Sequence, residues 1–227
     1  MVFDVKMDFA QKARFVAGGH TTKTPSSMTY SSVVSRDSVR ILLTIAALND
    51  LDVYACDVNN AYLNAPCLEK IWFRGGAECR EDKGKVLVVV RALYGLKSSG
   101  ASWRQIMCEA LDNMGFFPSQ ANNDVWLQET IRDSEQLYEY VLLYVDDILS
   151  ISHRGHEIVQ EIGTWFALKD LEQPTASLGA EIGKQDLKDG SQAWYMSADH
   201  YLEGAFDVVQ RLYDEDGAGR APLPLGY

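Results

Sequence analysis

Residues 138–152 read YEYVLLYVDDILSIS. Two apolar runs, YEYVLLYV and ILSIS, flank the adjacent Asp146 and Asp147 and leave room only for a tight turn, which predicts a β-hairpin. A two-residue hairpin loop favours glycine at its second position, and the spacing puts Asp147 where glycine would be more comfortable. Aspartate is a common turn residue, and that is the simplest reading of the pair. Two adjacent carboxylates between apolar strands also repel each other unless they share a cation, so metal binding is the second reading.

Upstream, LDVYACDV (51–58) puts Leu51, Val53, Ala55 and Asp57 on one face with period two, so it reads as a strand whose last carboxylate emerges at a sheet end. If that strand neighbours the hairpin, Asp57, Asp146 and Asp147 converge. Such a set suits two Mg²⁺ ions, which take oxygen ligands and stabilise both the attacking and the leaving oxygen of a phosphoryl displacement.

SRDSVRILLTIAALND predicts an amphipathic helix over about 36–49, with Ser35 as cap. KVLVVV (85–90) reads as a strand. ASWRQIMCEALDNMG reads as a helix with Trp103, Ile106, Met107, Ala110, Leu111 and Met114 on one stripe, ended by Gly115. GHEIVQEIGTWFALKDL reads as a further amphipathic helix, and WYMSADHYLEGAFDVVQRLY as a strand end, Asp199 as a cap and a last helix. Trp103, Trp165 and Phe166 read as core. The order predicts an α+β domain with an antiparallel sheet backed by helices.

The 227 residues are 47% hydrophobic and 23% charged, a globular composition long enough for one substantial core or two small ones that share an interface. A formal net charge of −11 argues, taken alone, against nucleic acid, which wants a basic footprint. The distribution is uneven: six basic against three acidic residues over 1–48, eight against ten over 49–128, and seven against nineteen over 129–227. Asymmetry of this kind speaks to partners rather than to fold. No apolar run approaches the roughly 18 residues of a spanning helix, and the charged start MVFDVKMDFAQKAR is unlike a signal peptide. Cys56, Cys67, Cys79 and Cys108 form no CxxC pair, and no two histidines have zinc-ligand spacing, so a reduced intracellular protein with no membrane partner is expected.

KARFVAGG, YSSVVSRDSVRILLTIAALNDLDVYACDVNNAYLNA, ALYGLKSSGASW and YVDDILSIS stand in the order seen in one family, and FALKDLEQPTASLGAEI, DGSQAWYMSADHYLEGA and PLPLGY continue the match. The chain resembles, over essentially its whole length, the reverse transcriptases of copia-type LTR retrotransposons. The resemblance implies a right-hand polymerase: fingers at 1–33 and 65–98, palm at 34–64 and 99–196, and the start of a truncated thumb at 197–227. It implies RNA-directed DNA polymerase activity, with dNTPs added to a primer 3′-hydroxyl on an RNA or DNA template. Asp57, Asp146 and Asp147 match the catalytic aspartates that bind two Mg²⁺ or Mn²⁺ ions. Tyr62 matches the aromatic under the incoming sugar, which disfavours a 2′-hydroxyl. Lys12 and Arg14 match cations that hold the triphosphate. Tyr94 and Gly95 match a segment that packs against nucleotide and template, with Lys97 near a phosphate, and Leu178 and Gly179 match an element of the primer region.

Ser98, Ser99, Gly100 and Ala101 depart from the family, which often carries Gln, Ala or Ser, Pro and Arg there; a positive charge and a proline are lost. The resemblance also implies a longer polyprotein with the rest of the thumb, ribonuclease H and integrase, working in the cytoplasm in the virus-like particle of the element. The alternatives are an inactive retroelement fragment that only binds nucleic acid or a partner, and a template-independent nucleotidyl transferase on the same fold, which the KARFVAGG and LYGLK segments fit poorly.

Overall fold

The computed structural model describes residues 2–5, 11–132, 134–172 and 180–216. In chain order the elements are β1 (Val2–Val5), β2 (Gln11–Arg14), α1 (Arg36–Leu48), β3 (Asp52–Val58), α2 (Ala61–Asn64), β4 (Trp72–Arg74), β5 (Val86–Val88) and α3 (Ser99–Asn113). There follow β6 (Phe117–Pro118), β7 (Val125–Arg132), β8 (Glu135–Tyr144), β9 (Asp147–Ser152), α4 (Gly155–Trp165), β10 (Leu168–Glu172), β11 (Glu181–Asp186), β12 (Gln192–Ser197) and α5 (Asp199–Asp216). A six-stranded sheet in the order β10-β3-β9-β8-β7-β6 is antiparallel at every pairing. The described residues also form three two-stranded ribbons, β1-β2, β4-β5 and β11-β12.

The apolar runs at 138–152 are continuous because the sheet is covered on both faces. On one side Leu42, Leu43 and Ala46 of α1 meet Val53, Leu142, Leu149 and Ile151. On the other, Trp103, Met107 and Leu111 of α3 and Ile158 and Ile162 of α4 meet Cys56, Val58, Val141, Leu143 and Ile148. Alternate residues of β3, β8 and β9 therefore go to different cores, and each fully buried aliphatic side chain contributes about 1.5–3 kcal/mol.

Helix ends follow their caps. Ser35 Oγ accepts the Ser38 N–H at 3.1 Å, as expected for α1. The end of α3 is a left-handed Gly115, φ +87°, after which the Phe116 N–H returns to Leu111 O at 2.9 Å. Two expectations are corrected. The fourth helix stops at Trp165, because Phe166 turns extended to bury its ring against Trp103, and ALKDL continues as β10. At the last helix Ser197 Oγ accepts the Asp199 N–H at 3.0 Å, so Asp199 lies in the first turn, where a carboxylate suits the helix dipole. Strand β7 escaped the sequence pattern because its apolar residues do not alternate: Val125 and Trp126 are both buried.

At the far end of the sheet, Glu139 is buried and held by charge-assisted bonds. Arg154 donates through Nε at 2.9 and 3.0 Å and through Nη2 at 2.7 Å, and Ser152 Oγ donates at 2.8 Å. Replacing Arg154 with alanine strands that carboxylate in the core. Urea denaturation of Arg154→Ala is expected to show a loss of about 3–5 kcal/mol, most of it recovered when Glu139→Leu is added.

Candidate active site

Strand β3 lies beside β9 in a register that puts Asp57 directly opposite Asp147. Directly opposed residues share a sheet face with Cβ atoms about 4.5–5.5 Å apart, so the two carboxylates are neighbours despite 89 intervening positions. The hairpin closes at the Tyr144–Asp147 pair, which makes Val145 and Asp146 the two loop residues. This corrects the expected loop: Asp147 is the first residue of β9, and the left-handed conformation falls on Val145, φ +59°. A β-branched residue there is strained by about 1–3 kcal/mol. Both loop carbonyls are held from outside the hairpin. Val145 O accepts the Trp103 indole N–H at 2.7 Å, and Asp146 O accepts the Val58 N–H at 2.8 Å.

The second part of the site is aromatic. Tyr62 lies on the single turn α2, entered through a left-handed Asn60 with φ +51° and braced by the Asn64 side-chain amide. Its ring meets that of Tyr94 at 4.6 Å between centroids, and the Arg14 guanidinium sits 5.6 Å from the Tyr94 ring. Burial raises both phenol pKa values, and the nearby Asp146 raises them further. For Tyr94 the Arg14 charge works the other way and Asp57 adds to the rise. The Cys56 thiol is pushed up to about 12 by burial and then by Asp57 and Asp147, so it stays protonated and inert. One negative field thus reaches Tyr62, Tyr94 and Cys56 together.

Arg14 reaches Tyr94 because the N-terminal ribbon docks onto the 94–97 segment. The Ala17 N–H donates to Tyr94 O at 2.8 Å, and Val16 bridges Tyr94 in parallel. Gly19 and Gly95 make the approach possible, since a Cβ on Gly19 would strike Gly95 O, and one on Gly95, φ +89°, would strike Ala17 O. Lys97 is used in the same junction, its ammonium donating to Thr22 O at 2.7 Å. The Lys12 backbone pairs with Asp4 in the β1-β2 ribbon, and its side chain lies outside the described part. Leu178 and Gly179 also lie outside the described residues. The serines at the start of α3 all find partners: Ser98 N–H and Oγ donate to Glu69 at 3.0 and 2.8 Å, Ser99 Oγ to Leu93 O at 2.7 Å, and Ser102 Oγ to Pro66 O at 2.8 Å.

Two residues at the site were missed. Lys169, on β10, stands opposite Asp57 on the side away from Asp147, its Nζ 3.8 Å from Asp57 Oδ1. Reading ALKDL as a strand would have exposed it, but it follows an amphipathic helix without Gly or Pro to mark the break. Trp103 reads as core from its helical spacing, and nothing in that spacing reveals its bond to the hairpin loop.

The donor set fits a hard divalent cation in kind: carboxylate oxygens at a sheet end, two of them in direct register. Among the described residues no three His, Cys, Asp or Glu side chains are gathered into a ready cage. The described residues thus pair Asp57 with Asp147 but do not gather all three aspartates into one cluster. No helix among the described residues is long and apolar enough to cross a membrane.

A family model described as reverse transcriptase (RNA-dependent DNA polymerase) matches residues 2–202. The retrovirus-related Pol polyprotein from transposon TNT 1-94 of Nicotiana tabacum is 28% identical over 214 residues, 89% of this chain and 16% of that protein. The Pol polyproteins from transposons RE1 and RE2 of Arabidopsis thaliana are 28% and 29% identical, over 75% and 61% of this chain and 12% and 10% of theirs. The chain therefore spans between a tenth and a sixth of the length of these relatives. With the family match covering most of its length, this chain belongs to the reverse transcriptase family.

Proposed function

We propose that the chain extends a nucleic-acid primer along a template with dNTPs, and that Asp57, Asp146 and Asp147 hold two Mg²⁺ or Mn²⁺ ions for that reaction. The observation that carries this reading is the register of Asp57 against Asp147, with Asp146 on the adjoining loop and the Arg14–Tyr94–Tyr62 stack within reach of its field. The primer 3′-oxygen attacks the α-phosphorus of the dNTP, a new phosphorus–oxygen bond forms, and the bond to the bridging oxygen of pyrophosphate breaks. The 3′-hydroxyl proton goes to water. When bound, the cations would lower the pKa of the attacking hydroxyl and neutralise charge on the leaving pyrophosphate. The protein's own share is positioning and electrostatics.

In this reading Tyr62 packs under the sugar and excludes a 2′-hydroxyl, while Arg14 and Lys12 face the triphosphate. Tyr94 and Gly95 contact nucleotide and template, Lys97 shapes the segment beside them, and Leu178 and Gly179 approach the primer. The sheet and its helices form the palm, 34–64 and 99–196. The β1-β2 and β4-β5 ribbons belong to the fingers, 1–33 and 65–98, and 197–227 begins the thumb. The cytoplasmic particle of the element is the setting that goes with this assignment, with the other Pol domains as partners. The acidic last third favours weak, salt-sensitive grip on primer-template, supplemented by those domains.

Extension of oligo-dT on poly-rA with dTTP and Mg²⁺ or Mn²⁺ tests the reading directly. Asp57→Asn and Asp146→Asn are each expected to lower the rate by about 10²-fold or more without lowering the unfolding midpoint; salt-sensitive primer-template binding without extension supports the inactive alternative, and product without template sinks the proposal. Tyr62→Ala is expected to reduce discrimination against UTP relative to dTTP by about tenfold, read as the ratio of kcat/KM values.

A further inference from the structure

Trp103 is 2% exposed and looks like a core side chain, its ring edge-on to Phe166 at 5.1 Å between centroids. Its indole N–H, however, leaves the core and bonds Val145 O at 2.7 Å. The acceptor belongs to the strained loop residue, φ +59°, immediately before Asp146 and Asp147. Among the described residues the buried N–H groups of Trp126 and Trp194 have no acceptor, so the Trp103 bond is not shared by the other buried indoles. The loop is otherwise tied from the opposite side, Val58 N–H to Asp146 O, one residue beyond Asp57. The two ties act on successive carbonyls from different elements, α3 and β3, and so fix both the tilt and the twist of the loop.

We infer that Trp103 is a positioning residue: its indole N–H holds Val145 in the left-handed conformation and thereby aims Asp146 and Asp147 at Asp57. The inference rests on the proposed polymerase reading. It predicts that the shape of the side chain supports the core while the N–H supports the site, so the two contributions separate. It also predicts that glycine at 145, which enters the left-handed region without steric penalty, relieves the dependence on Trp103.

The test uses the full 227-residue chain, Trp103→Phe, Val145→Gly and the double variant. Three readouts apply: Mn²⁺ affinity of the protein alone by electron paramagnetic resonance, kcat and KM for dTTP in primer extension, and the thermal midpoint. Trp103→Phe is expected to weaken Mn²⁺ binding and lower kcat by about tenfold each, as outer-shell positioning residues do, with KM for dTTP within about twofold of wild type. Adding Val145→Gly is expected to recover most of both losses without recovering the thermal midpoint. Wild-type Mn²⁺ binding and kcat in Trp103→Phe, or losses that Val145→Gly leaves in place, overturn the inference. If Trp103→Phe does not fold, benzothienylalanine at position 103, which keeps the indole shape and lacks the N–H, is read by the same criteria. A wild-type chain that neither binds Mn²⁺ nor extends primer overturns the polymerase reading and this inference with it; a wild type that does both while the variants match it overturns this inference alone.

Discussion

The register of β3 against β9 sets two carboxylates face to face across a sheet, an arrangement that opposes folding. Like charges directly opposite each other cost on the order of 0.2–1 kcal/mol. A slip of one residue would separate them, yet it would also exchange the two faces of the strand and send Val53 and Ala55 toward α3 and α4, and Cys56 and Val58 toward α1. Because both faces are buried, the penalty for slipping far exceeds the repulsion. The double-sided core is what keeps Asp57 opposite Asp147, and every other part of the site is arranged around that pair. Lys169 offsets part of the charge from the far side, modestly, since the pair is half exposed.

One strained residue lies where the chemistry is proposed. Val145 holds a backbone conformation that valine resists, and the hairpin has no spare residue to absorb it. The helix α3 supplies an outside restraint, and α3 is itself anchored at its start by serines bonded to Glu69, Leu93 and Pro66. A departure that removes a proline and a cation from the usual family pattern is thus accompanied by local polar contacts that seat the same helix.

Much of this was legible in the sequence, for identifiable reasons. The hairpin, α1 with its Ser35 cap and α3 with its Gly115 end carry strong local signals, and Asp57 ends a strand of clear period. Asp57, Asp146 and Asp147 stand out in the sequence; the fold sets Asp57 opposite Asp147 and stacks Tyr62, Tyr94 and Arg14 on one another. What escaped depends on long-range contact. Nothing local says that the helix containing Trp165 gives way at Phe166, and that break is what puts Lys169 across from Asp57. The loop shift from Asp147 to Val145 is likewise a matter of pairing register, which a two-residue turn of apolar and acidic residues leaves undetermined by composition. Lys97 shows the reverse: a cation whose chemistry suits a phosphate also suits the carbonyl of Thr22.

The contact between Gly19 and Gly95 has a consequence for what this sequence can become. At most positions a chain has near neighbours in sequence space, a slightly larger or smaller residue that preserves the structure. Here there are none, because the smallest possible change, one methyl group, meets a backbone carbonyl that no rotamer can move aside. Every missense change at either codon parts the N-terminal ribbon from the Tyr94 segment and carries Arg14 away from the aromatic pair. Two residues that contribute no side chain therefore hold the ribbon against the Tyr94 segment, and sequence drift meets a limit there.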